Sequence, residues 1–148
     1  MTEVIGIDHI YISASDMNTS EAFYDSVMSV LGFRKNDFSL GEERHIQYYN
    51  KFFGFVLRPA RTARAKHDPY SPGLHHFCFR VEGIEELGEI ASRLSVLGVS
   101  VSGPTHYPQY APDYYAVFFT DPDGIRLEAT NYRAERKERH EKWSELGS

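Results

Sequence analysis

Apolar and polar positions along this chain alternate, change to helical spacing, then alternate again, and the whole cycle runs twice. Residues 5–13 alternate around β-branched and aromatic side chains, as a strand requires. Ser15 or Asp16 can accept the orphan N–H groups of a following helix, Phe23, Val27, Val30 and Leu31 recur at helical spacing, and Gly32 suits its stop. Three short strands follow at residues 34–38, 44–50 and 52–58. The second cycle has a strand at 75–81, a helix marked by Ile84, Leu87, Ala91 and Leu94 that ends near Gly98, and strands at 99–102, 114–120 and 125–131. Residues 103–113, rich in proline and aromatics, read as a loop.

Each half is therefore expected to be a βαβββ module. The class is α+β, with two tandem modules forming a curved mixed sheet around a cavity. Module one spans 4–60, a polar, proline-bearing linker 61–72, and module two 73–132. Together they make a single domain over 1–132, with a charged tail at 133–148 that suits a solvated or frayed helix.

The repeat carries chemistry. His9 opens the first module and His76 the second, 67 residues later; the closing strand with Arg58 is answered 70 residues on by one with Glu128. Strand periodicity groups His9 with Tyr11, His76 with Cys78, and Glu128 with Arg126 and Thr130. If those faces line the cavity, two imidazoles and a carboxylate converge, a set suited to one divalent ion of Fe, Mn, Ni, Co or Zn. Open coordination positions would let a substrate's oxygens bind and be polarised. The plainer alternative is that each histidine is structural.

Composition narrows the field. A chain of 148 residues, 41% hydrophobic, can bury one good core. The net charge of −5 offers no field for nucleic acid, and the basic run Arg58, Arg61, Arg64 and Lys66 is short enough for a solvated linker face. One cysteine excludes an internal disulfide. No apolar run spans a bilayer and no secretory signal pattern stands at the N-terminus, so a cytoplasmic location is expected, with no membrane partner.

Three blocks carry a family likeness: Asp8-His9-Ile10, Gly73-Leu74-His75-His76-Phe77, and the stretch from Tyr114 through Asp121-Pro122-Asp123-Gly124 to Glu128. Over residues 4–131 the chain resembles the vicinal-oxygen-chelate superfamily of glyoxalase I, methylmalonyl-CoA epimerase, fosfomycin-resistance transferases, extradiol dioxygenases and bleomycin-binding proteins. The resemblance implies paired modules around a metal held by His9, His76 and Glu128. It selects His76 over His75, because the ligand directly precedes the Phe77-Cys78-Phe79 run. It also implies a homodimer, whose site would combine His9 of one chain with His76 and Glu128 of the other if modules are exchanged.

Two positions depart from that pattern. Where glyoxalase I-like members supply a fourth ligand this chain has Arg58, which cannot coordinate. It would grip an anionic substrate, lie at the surface, or pair with Glu128 in a metal-free site. Ten positions before Glu128, where fosfomycin transferases and many extradiol dioxygenases carry tyrosine, stands Phe118. Tyr114 and Tyr115 are the nearby candidates for a catalytic hydroxyl, Tyr115 also for substrate binding, although both can be packing residues. Gln47 is a further substrate-binding candidate. His45 suits a supporting or surface role, and His106, Tyr107 and Tyr110 could cover a ligand. The expected function is a metal-dependent enzyme acting on a small molecule with adjacent oxygens, by glyoxalase-like lyase or isomerase chemistry or by dioxygenation. The alternative is a metal-free protein that sequesters a small molecule.

Overall fold

Eight strands and three helices are present among residues 1–62 and 66–147, the part of the chain that the computed structural model describes. Arg64 of the basic run lies outside the described residues. Two compact units form: Met1–Asp68 together with Asp121–Gly124, and Pro69–Thr120 together with the chain from Ile125 onward.

In the first unit β1 (His9–Ala14), α1 (Met17–Val30), β2 (Arg34–Leu40), β3 (Glu43–Tyr49) and β4 (Gly54–Pro59) follow in order. The sheet order is β1-β4-β3-β2, with β1 parallel to β4 and the other pairs antiparallel. The side chain of Asp16 accepts from the Thr19 N–H at 3.0 Å, which selects it over Ser15 as the cap of α1. At the far end Gly32 adopts a φ of 82°, and the Phe33 N–H returns to the Met28 carbonyl at 2.8 Å. Glycine takes this left-handed conformation without the clash a Cβ would bring.

Alternation then gives the sheet two unlike faces. Phe55 and Leu57 are wholly buried, and the ring of Tyr24 from α1 lies 5.0 Å from that of Phe55. Gly54, Val56 and Arg58 occupy the other face, in register with His9, Tyr11 and Ser13 of β1. Gln47 lies opposite Val56, and across β2 and β3 Asn36 faces Gln47 and Phe38 faces His45.

The second unit repeats this plan with β5 (His76–Val81), α2 (Ile84–Val96), β6 (Ser102–His106), β7 (Tyr115–Thr120) and β8 (Arg126–Asn131), ordered β5-β8-β7-β6. Leu127 and Ala129 are fully buried on one face, and Arg126, Glu128 and Thr130 take the other. The expected strand at 99–102 and loop at 103–113 are corrected: β6 runs from Ser102 to His106, with a register shift between Ser102 and Thr105. Gly103 at a φ of 109° makes that irregularity, and Pro104 is tolerated because an edge strand can forgo one donor. The last helix, α3 (Ala134–Glu141), buries no residue, as its charged sequence anticipates.

An ion-pair network ties α1 to β2 and β3. Glu21 receives Arg44 through both carboxylate oxygens, at 2.6 and 2.9 Å, and Lys35 at 2.8 Å. Hydrogen bonds from Arg44 and then Lys35 bring its pKa down to about 2 from an ordinary 4.5. A carboxylate lowered on folding stabilises the protein fully above its ordinary pKa, and that contribution disappears as pH falls through the folded value. We expect a loss of about 1–2 kcal/mol between pH 4.5 and 2, allowing for solvent screening. Urea unfolding of the wild type and Glu21→Gln at pH 6 and pH 2.5 checks this. If the two proteins lose equal stability on acidification, Glu21 is not the responsible group.

Candidate metal and ligand site

The open face of the second sheet brings His76 and Glu128 together. Nε2 of His76 lies 3.2 Å from Oε1 of Glu128, whose side chain is 4% exposed. The hydroxyl of Tyr114 donates a short hydrogen bond to Oε2, so both carboxylate oxygens are engaged. Phe118 stands directly across from Glu128 on β7 and Cys78 directly across on β5. The hydroxyl that Phe118 lacks thus reaches the carboxylate from Tyr114. Burial and the carboxylate push the Tyr114 hydroxyl above its ordinary range. The same causes raise the Cys78 thiol, whose sulfur is closely surrounded although the residue keeps solvent contact. A thiol raised in this way is a poor nucleophile at neutral pH.

His75 sits beside this group in an orienting position. Its Nδ1 is 2.7 Å from Nδ1 of His76, which leaves Nε2 of His76 directed at Glu128. Tyr115 takes the opposite side of its strand, stacked on His106 with ring centroids 4.5 Å apart, while His106 Nε2 meets the Pro112 carbonyl at 2.7 Å. Of the two tyrosine candidates, Tyr114 therefore adjoins Glu128 and Tyr115 does not. Tyr107, Tyr110 and Tyr114 form an aromatic cluster that also reaches Phe118.

The first unit holds the other candidates. His9 Nδ1 contacts Asp8 Oδ1 at 2.6 Å, and the ring meets Tyr11 edge-on. His9 lines a hollow of about 440 Å³ with Asp8, Tyr11, Asn36, Phe38, Gln47 and Val56. Asp8, Asn36 and Gln47 also line an adjoining hollow of about 480 Å³ that runs towards Lys51 and Phe52. His45 is buried, its ring 5.8 Å from Tyr11 and 5.1 Å from Phe38.

Arg58 is held by Glu43 through a short ion pair, and its Nε donates to the Pro59 carbonyl at 3.1 Å. Glu43 also receives Arg61 at 3.1 Å. Its partner is thus Glu43, neither bulk solvent nor Glu128. Asn36 and Phe38 escaped the sequence reading. Their only signal there is cross-strand partnership with Gln47 and His45, which needs the register.

The donor chemistry of His76 and Glu128 fits a metal. Two ligands bound at about 2.1 Å to one ion stand about 3.0–3.4 Å apart at octahedral to tetrahedral angles, and the observed 3.2 Å falls in that interval. Among the described residues no group of three or more His, Cys, Asp or Glu side chains is gathered. His9 belongs to the first unit, His76 and Glu128 to the second.

Comparison with known proteins agrees with the fold. The chain belongs to the Glyoxalase/Bleomycin resistance protein/Dioxygenase superfamily, whose family model matches residues 6–129. The uncharacterized protein YaeR of Escherichia coli (strain K12) is 30% identical over 131 residues, 82% of this chain and 92% of that protein. A glyoxylase/bleomycin resistance protein/dioxygenase domain from Frankia has a TM-score of 0.73 at 22% identity, covering 88% of this chain and 100% of that one. Lactoylglutathione lyase from Agrobacterium tumefaciens has a TM-score of 0.60 at 24% identity, covering 88% and 94%.

Proposed function

We propose that this protein is a divalent-metal-dependent enzyme acting on a small molecule with adjacent oxygens, by glyoxalase-like lyase or isomerase chemistry or by dioxygenation. The observation that carries the reading is the His76–Glu128 pair at 3.2 Å, with Tyr114 on the second carboxylate oxygen. His76 and Glu128, with His9 as the third ligand, would hold one ion of Fe, Mn, Ni, Co or Zn. Bound there, the ion supplies Lewis-acid polarisation of substrate oxygens.

The chain's own groups do the rest. Tyr114 orients the Glu128 carboxylate by donating to it, and its raised pKa keeps it protonated at neutral pH. With its one hydrogen engaged by Glu128, that hydroxyl would offer a substrate only the lone pairs of its oxygen, as an acceptor. Arg58 enters already neutralised by Glu43, so an anionic substrate would have to displace that carboxylate.

We propose further that the working form is a homodimer, in which His9 of one chain can complete the site of the other. No described helix is long and apolar enough to cross a membrane, and a cytoplasmic location is part of the same proposal. Elemental analysis of protein purified without added metal tests the central claim, and about one divalent ion per chain is expected. A metal-free protein that still binds a small aromatic molecule would replace the enzyme by a sequestering protein, a reading favoured by the aromatic hollow around Tyr11 and Phe38. Light scattering that shows only monomer would remove the shared site.

A further inference from the structure

The two hollows of the first unit share three residues, Asp8, Asn36 and Gln47, so a continuous groove crosses the open face. Asn36 and Gln47 stand directly opposite one another on β2 and β3, which sets their Cβ atoms about 5 Å apart. Among the described residues neither carboxamide has a hydrogen-bond partner. Each offers an N–H donor and a carbonyl acceptor. Side by side in a groove they present a donor–acceptor edge.

The walls are flat and the charge is low. Tyr11 and Phe38 line the smaller hollow, and the buried His45 ring between them holds both in place. Among the described residues Asp8, His9 and Tyr11 are its titratable lining groups, and Asp8 and His9 face each other at 2.6 Å. Arg58 is committed to Glu43 and lines neither hollow. Lys51 lines only the larger hollow, where its ammonium lies 5.2 Å from the Phe52 ring. A carboxylate ligand in the smaller hollow, against Tyr11 and Phe38, would meet Asp8, whereas Lys51 lines only the larger one.

Gly54 completes the arrangement. A Cβ there would come within 3.2 Å of Gln47 Nε2 and 3.6 Å of His9 Cβ. The missing side chain is what allows the Gln47 carboxamide to lie against β4 between the two hollows.

We propose that Asn36 and Gln47 determine specificity for a planar, uncharged ligand portion bearing a donor and an acceptor on one edge, with an aromatic carboxamide as its simplest form. This rests on the reading of the open face as the ligand site, and it names the chemistry that face selects.

The test uses isotopically labelled full-length protein titrated with benzamide, benzoate and benzylamine, observed through side-chain amide resonances. Benzamide should shift the Asn36 and Gln47 resonances saturably and bind at least about tenfold tighter than the two charged probes. Asn36→Leu and Gln47→Leu should each weaken benzamide by about tenfold, and Gly54→Ala, which displaces Gln47, should weaken it as well. Unchanged affinity in both leucine variants, or equal binding of benzoate, overturns the proposal. Metal content measured on the same samples separates the two readings. Wild-type protein without metal, but with benzamide binding that responds to the variants, removes the enzyme and keeps the carboxamide site. Metal retained without benzamide binding does the reverse.

Discussion

Replacing His76 or Glu128 by alanine is expected to weaken binding of a first-row divalent cation by more than about 100-fold, because each change removes a proposed ligand. His75→Ala should cost about tenfold. It takes away only the ring that fixes the orientation of His76, and about tenfold is the low end of what changes in such outer partners cost in metal affinity. Tyr114→Phe belongs to the same milder class, since it deletes the hydroxyl on Glu128 Oε2 and leaves both proposed ligands in place. Affinity in the wild type should also fall as pH drops through the imidazole range, since coordination needs neutral histidine. Competition against a chromophoric chelator measures the wild type and the four variants, with circular dichroism to confirm that each is folded. Equal losses from His75→Ala and His76→Ala would mean that the wrong histidine of the adjacent pair had been chosen.

That choice shows what is legible in a strand sequence. Periodicity of two would turn His75 and His76 to opposite faces, yet β5 begins only at His76 and the two rings meet. It is the register of His76 opposite Arg126 that puts His76 on the Glu128 face. The same holds for Tyr114 and Tyr115. They sit where β7 begins, and only the register that puts Phe118 across from Glu128 reveals which tyrosine shares that face. The helices were readable in advance because the apolar spacing of α1 and the glycines that end α1 and α2 are local signals. β6 was not, since Gly103 and Pro104 carry loop chemistry into an irregular edge strand. The Arg58–Glu43 pair was equally hidden. The two residues lie on neighbouring strands 15 positions apart, and nothing local says they meet.

The largest stability effect is expected at Tyr24 and Asp121. The turn Asp121-Pro122-Asp123-Gly124 lies between β7 and β8 in the chain but belongs to the first unit. Tyr24 is fully buried and Asp121 only 5% exposed, and the Tyr24 hydroxyl donates to Asp121 Oδ2 at 2.7 Å. Asp121 Oδ1 accepts the Asp123 N–H at 2.9 Å, and the Asp123 carboxylate in turn takes the Ser15 N–H at 3.0 Å. Burial, reinforced by the Asp121 charge, holds the Tyr24 hydroxyl well above its ordinary pKa, so it remains a donor at any working pH. Asp121→Ala strands that buried hydroxyl and releases the turn, at a cost of about 2–4 kcal/mol. Asp121→Asn keeps an acceptor in place and should cost about 1 kcal/mol, while Tyr24→Phe, which keeps the ring against Phe55, should cost about 1–3 kcal/mol. Urea unfolding of the single variants and of Tyr24→Phe with Asp121→Ala measures their coupling. The double variant should lose less than the sum by at least about 1 kcal/mol, because the hydrogen bond is removed only once. Strict additivity would show that Asp121 stabilises the turn without help from Tyr24.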